Sequence, residues 1–150
     1  MEVLLDMIHQ FDYSILVQIS DSMRGGFSDT VWTVITSLGN GGALWIVLAV
    51  VLLFFRKTRR AGAAMLAALL IGLLVGNVLI KPMVMRPRPF VTHSDLIALI
   101  HPSDQWSFPS GHTLSSFAAA AALCFYHRKS GLLAFVVAGV VGVSRLYLCV

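Results

Sequence analysis

Polar and apolar positions along this chain alternate in long blocks. Residues 3–20 place Leu4, Leu5, Ile8, Phe11, Ile15, Leu16 and Ile19 at helical spacing, with Glu2, Asp6, Gln10 and Gln18 between them. That spacing predicts a helix with one oily face. Asp6, His9 and Asp12 argue against a full membrane crossing, so it reads either as an interfacial amphipathic helix or as one packed on its neighbours. Arg24-Gly25-Gly26 then breaks the pattern. Thr30–Phe55 and Ala61–Ile80 carry no charged residue, and each is long enough to cross a hydrocarbon core. Gly39-Asn40-Gly41-Gly42 interrupts the first, which predicts a short surface helix followed by a span. Phe108–Tyr126 is a third apolar run, and Ser130–Val143 opens a fourth, with Arg145 near its far end. Between the second and third runs, residues 81–106 hold Pro82, Pro87, Pro89 and Pro102 and predict a loop, with a short helix at Asp95–Ile100.

The expected fold is therefore all-α: a multi-pass transmembrane bundle of about four spans plus an N-terminal amphipathic helix. Residues 1–26 form that helix, and residues 27–150 form the membrane core. Composition agrees, with 57% hydrophobic and 12% charged residues where a soluble domain carries roughly 25% charged. The net charge of +4 comes from short basic clusters between apolar runs, which points to membrane topology and anion handling rather than nucleic acid. Arg56, Lys57, Arg59 and Arg60 follow the first run, and Arg128 and Lys129 follow the third. Two spans separate the clusters, so they share a side, and the positive-inside rule makes that side the cytoplasm. The 81–108 loop and the end of the fourth span then face outward. Cys124 and Cys149 sit in apolar segments near opposite faces, too far apart to pair. The N-terminus lacks the basic region and small-residue cleavage site of a cleaved signal peptide.

Three polar strings converge on that outer face. Lys81-x6-Arg88-Pro89 offers an ammonium and a guanidinium to phosphate oxygens, the latter stiffened by a proline on each side. Taken alone, it is equally an interface loop touching lipid head groups. Pro109-Ser110-Gly111-His112 opens an apolar helix. Ser110 is a natural N-cap, Gly111 lets backbone N–H groups approach an anion, and His112 can protonate a leaving oxygen. Ser144-Arg145 places a guanidinium in an otherwise apolar span end, where it either serves a function or snorkels to the interface.

In type, order and spacing these strings resemble the type 2 phosphatidic acid phosphatase superfamily, whose signature is Lys-x6-Arg-Pro, Pro-Ser-Gly-His and Ser-Arg-x5-His-x3-Asp. The resemblance covers roughly residues 30–150. It implies that Lys81, Arg88 and Arg145 clamp phosphate, that Ser110 and the Gly111 amide add hydrogen bonds, and that His112 is the general acid. It further implies a phosphohistidine intermediate, with no metal and no cofactor. The implied activity is a membrane lipid-phosphate or lipid-diphosphate phosphatase, acting on undecaprenyl diphosphate, phosphatidic acid or phosphatidylglycerol phosphate at the outer face of the cell membrane. The nucleophilic histidine and its aspartate would fall at positions 151 and 155, past Val150. His93, His101 and His127 stand at no family position. The 150-residue chain is thus expected to bind phosphate weakly, not to turn over, and to be a fragment of an enzyme rather than a natural pseudoenzyme. The alternative is a non-catalytic membrane protein that binds lipid phosphate through the same cationic pocket. Neither the lipid nor the oligomeric state is legible.

Overall fold

The computed structural model describes residues 2–102 and 104–150, with side chains in the N-terminal helix from Met7 onward. The side chains of Glu2, Leu4, Leu5 and Asp6, part of the amphipathic pattern, lie outside the described residues, as does Met1. Helices dominate, and among the described residues the one β-type pairing is an isolated bridge between Pro87 and Trp106.

Helix α1 runs Glu2–Met23 and α2 runs Gly26–Leu38. A single 3-10 turn, Asn40–Gly42, leads into α3, Ala43–Leu53. Gly41 and Gly42 take left-handed backbone there, with φ of 59° and 71°, which glycine alone adopts cheaply. The α2 and α3 axes are bent by 42° at this break. The predicted surface helix followed by a span is thus one broken apolar element. Helix α4, Arg59–Gly72, continues through a π-type stretch, Leu73–Ile80, into α5, Lys81–Val84. Together these form one 26-residue helix, long and apolar enough to cross a membrane. Helix α6 is a single turn, Pro89–Thr92, with proline at its first position, where a fixed φ favours initiation. The helix expected at Asp95–Ile100 is not formed. Asp95 instead accepts a hydrogen bond from the Tyr13 hydroxyl, and Leu96 is buried beside Leu16 and Cys149, which holds the segment open across α1. Helix α7 is Gly111–Tyr126 and α8 is Arg128–Tyr147, the second helix long and apolar enough to span.

Small residues set the packing. A Cβ on Gly131 of α8 would lie 2.1 Å from the Cys124 Cα of α7, and one on Gly62 of α4 would lie 2.5 Å from the Ala49 oxygen of α3. Such contacts let backbones approach where lipid supplies no hydrophobic drive between helices. The core gathers Trp45, Met65, Ala119, Ala120, Leu123 and Ala138 from α3, α4, α7 and α8. Within it the Trp45 indole N–H donates to the Ser116 hydroxyl at 2.8 Å, so both buried polar groups are satisfied. Leu70, Ile71, Leu74, Leu133 and Val136 stay exposed, as a lipid-facing belt requires.

Helices α4 and α7 run antiparallel: Gly72 and Gly76 face Leu114, and Asn77 faces Gly111. The start of α4 therefore lies at the same end as the finish of α7. Arg59 and Arg60 share that end with Arg128 and Lys129, as the sequence required, and the polar strings lie at the other. Helix α1 packs on this second end. Leu16 is buried, Asp12 pairs with Arg86, and the Tyr147 hydroxyl donates to the Met23 carbonyl at 3.1 Å. Met7, Ile8 and Phe11 remain exposed. Both cysteines are free and stand at opposite ends of α8, Cys124 beside Arg128 and Cys149 beside Arg24.

Candidate active site

A cavity of about 830 Å³ opens at the end of the bundle remote from the basic clusters. Lys81, Arg88, Ser110, Gly111, His112 and Arg145 all line it. The three strings come from four separated elements: the end of the long helix, the proline-stiffened segment after it, the start of α7 and the last turn of α8.

Each side chain is aimed by local structure. Lys81 follows the π-type stretch, where its N–H bonds the Gly76 carbonyl five residues back. Such wider turns are uncommon and frequent at functional sites. Arg88 has extended backbone between its two prolines and is only 5% exposed. Ser110 caps α7: its hydroxyl oxygen accepts from the Thr113 N–H at 3.4 Å and from the Thr113 hydroxyl at 3.2 Å. The remaining N–H groups of that helix start are directed at the cavity end, the arrangement that favours anions. Gly111 is tightly faced, since a Cβ there would meet the Asn77 amide nitrogen at 3.2 Å. The His112 Nε2 lies 2.9 Å from the Asn40 Oδ1, which orients the ring from the 3-10 turn between α2 and α3. A Cβ on Gly39 would reach the His112 ring at 2.8 Å, so that glycine makes room for the imidazole. Arg145 is 6% exposed, and its Nη1 donates to the Thr36 hydroxyl at 2.8 Å. Its Nε is buried and has no hydrogen-bond partner among the described residues. The guanidinium is buried and lines the cavity together with Lys81 and Arg88.

Four cavity residues carry no sequence signature of their own. Thr36 and Asn40 hold Arg145 and His112. Asn77 is the one polar side chain within the Ala61–Ile80 run, and its Oδ1 is buried without a partner among the described residues. It precedes Lys81 by four residues, a spacing that puts neighbours on one helix face. Asp104 bridges the first string: one carboxylate oxygen pairs with Lys81 and the other with Arg88, and the Arg88 Nε donates to the Asp104 carbonyl at 3.0 Å. Burial works to raise the Asp104 carboxyl, but hydrogen bonds and charge from Lys81 and Arg88 outweigh it and hold the group below its ordinary range. Asp104 is also the sole acidic residue after Asp95, which was the available signal. Among the other histidines, His101 lines the cavity and meets Phe90 edge-on. His93 stacks on Tyr13, with ring centroids 4.3 Å apart. His127 joins α7 to α8 at the opposite end.

Similarity to known proteins agrees with this geometry. The sequence profile of the PAP2 superfamily matches residues 61–150. The chain is 32% identical over 123 residues to the undecaprenyl-diphosphatase BcrC of Bacillus subtilis, covering 79% of this chain and 61% of that protein. It is 32% identical over 105 residues to an undecaprenyl-diphosphatase of Sulfolobus acidocaldarius, covering 69% and 50%. The chain thus spans between half and two thirds of the length of these relatives. Among solved structures it resembles a transmembrane PAP2-type phosphatidylglycerolphosphate phosphatase from Bacillus subtilis. The TM-score is 0.74 at 29% identity, over 96% of this chain and 74% of that one. A multi-pass helical membrane architecture, the first two signature strings intact on one cavity wall, and a profile match across more than half of its residues establish that this chain belongs to the PAP2 superfamily.

Proposed function

We propose that this chain supplies the phosphate-binding wall of a lipid-phosphate or lipid-diphosphate phosphatase acting at the extracytoplasmic face of the cell membrane. The supporting observation is the convergence of Lys81, Arg88, Ser110, Gly111, His112 and Arg145 on one cavity at the end of the bundle opposite the basic clusters. In this reading Lys81, Arg88 and Arg145 neutralise the phosphate oxygens. Fixed cations and aligned N–H groups at the start of α7 stabilise the charge that develops at phosphorus, without a metal. His112 gives a proton to the departing lipid oxygen. Asn40 Oδ1, 2.9 Å from Nε2, holds the ring in orientation for that task. The attacking group is a histidine, which forms a phosphohistidine that water then hydrolyses. By the family pattern five residues separate Arg145 from that histidine, which would stand at position 151.

Undecaprenyl diphosphate is the favoured substrate, because the two curated relatives carry that activity in their names. Phosphatidylglycerol phosphate is the second candidate, from the structural neighbour. The test is to extend the reading frame past codon 150 and assay both products in detergent, with a chelator present. The expected result is phosphate release by the extended product alone, fastest from undecaprenyl diphosphate. No release from undecaprenyl diphosphate, phosphatidylglycerol phosphate or phosphatidic acid by a folded extended product refutes catalysis. Retained binding of those lipids would then favour the non-catalytic reading.

A further inference from the structure

Among the described residues that line the cavity, one side chain is acidic, and it sits on the cations that the proposed function assigns to phosphate. Asp104 meets Lys81 with one oxygen and Arg88 with the other, the two-oxygen contact a phosphate would make with the same pair. It stands there against Lys81, Arg88 and Arg145.

We propose that Asp104 is an internal ligand of the cationic clamp, a built-in competitor that sets how tightly free phosphate is held. The inference rests on the phosphate reading of the cavity. The alternative, that Asp104 merely positions its partners, fits the burial pattern less well. The Lys81 and Arg88 side chains are 12% and 6% exposed, whereas that of Asp104 is 44% exposed. Lys81 belongs to a long membrane helix and Arg88 is flanked by two prolines, so both cations are more firmly held than the carboxylate. The loop carries the carboxylate to them. It is fastened just beyond Asp104: the Ser107 N–H donates to the Arg86 carbonyl at 2.8 Å, its hydroxyl donates to the Pro87 carbonyl at 2.9 Å, and Trp106 bridges Pro87. With that anchor two to three residues away, exchange for a phosphate needs a local turn of Asp104 rather than movement of the whole 81–108 segment.

Exchange keeps the contact pattern: two oxygens of one anion leave and two of another arrive. A lipid substrate adds contacts along its tail, whereas the free phosphate product has only the clamp. A carboxylate that reclaims Lys81 and Arg88 therefore acts mainly on the product, easing its departure.

The test is calorimetric titration of inorganic phosphate into the purified 150-residue protein in detergent, at fixed pH and ionic strength, for the wild type, Asp104→Asn and Asp104→Ser. Asn keeps the side-chain shape and removes the charge, and Ser also removes the reach. Circular dichroism establishes that each variant is folded, and either folded variant suffices. The expected result is phosphate binding about tenfold tighter than in the wild type, or ~1.4 kcal/mol. Equal or weaker binding in a folded variant overturns the inference and makes Asp104 a positioning partner of the clamp. Absence of phosphate binding in the wild type and both folded variants overturns the phosphate reading itself, a distinguishable failure.

Discussion

Gly131 is where the bundle has least room, and adding one methyl group there has a calculable effect. In Gly131→Ala the new Cβ would stand 2.1 Å from the Cys124 Cα, 2.3 Å from its Cβ and 2.5 Å from its backbone nitrogen, where ordinary contact begins at 3.4 Å. The obstacle is backbone, so no rotamer change relieves it, and α7 and α8 must part by more than an ångström at that end. Overpacking a tight seam costs ~1–3 kcal/mol, and a backbone clash belongs at the upper end. Replacing glycine inside a helix returns roughly 0.5–1 kcal/mol of propensity. The net loss is about 2 kcal/mol, or a fall in Tm of ~4–8 °C at the 2–4 °C per kcal/mol of a chain this size. Gly139→Ala on the same helix is the internal control, because nothing lies within 4 Å of its would-be Cβ. That variant should hold or raise Tm by a degree or two. The assay is thermal unfolding in detergent, followed by far-ultraviolet circular dichroism. Equal midpoints for the two variants would refute the claim that the α7–α8 seam is set by backbone contact.

Three further outcomes are expected. In the extended, active product, His112→Ala should lower kcat ~10²–10⁴-fold in a lipid-phosphate assay, as loss of a general acid does; a near-normal rate removes His112 from that role. Gly111→Ala should weaken inorganic phosphate binding several-fold with little change in Tm. Its Cβ meets only the Asn77 side chain, at 3.2 Å and 3.4 Å, which can shift by a few tenths of an ångström at the edge of the anion site; unchanged titration would dismiss the close approach of backbone to ligand. Tyr147→Phe removes a buried hydroxyl that donates to the Met23 carbonyl and meets the Ser28 hydroxyl at 2.9 Å and the Asp29 carboxylate at 2.6 Å. That loss should cost ~1–3 kcal/mol and speed proteolysis between α1 and α2; an unaltered cleavage rate would show that the junction is held by other contacts.

What could be read from the sequence was whatever is encoded by residue type in order. The uncharged runs fixed the helices, the basic clusters fixed which helix ends lie together, and Lys81, Arg88, Ser110, Gly111, His112 and Arg145 announced themselves as polar groups at apolar helix ends. The partners of those groups were not legible. Thr36 and Asn40 are ordinary residues until the 42° bend between α2 and α3 brings them over α7 and α8. Asn77 is hidden in an apolar run, and it lines the cavity from within the π-type stretch. The helix expected at Asp95–Ile100 failed for a related reason. Local propensity competes there with two distant contacts, Tyr13 with Asp95 and Leu16 with Leu96, and the distant contacts win.

The π-type stretch from Leu73 to Ile80 makes the long helix a ruler with one adjustable segment. Upstream, Gly62 and Met65 must face α3 and the core; downstream, Lys81 must face the cavity. In a regular α-helix each added or removed residue swings everything beyond it by about 100°, so a change of length before Leu73 would carry Lys81 off the cavity wall. A stretch already paired five residues apart holds a surplus residue in its wider turns and can surrender it by reverting to α pairing. Length variation among relatives is therefore expected to be tolerated within residues 73–80 and purged from residues 59–72. The joint that aims the lysine is also the place where this membrane helix can change in length without losing its site.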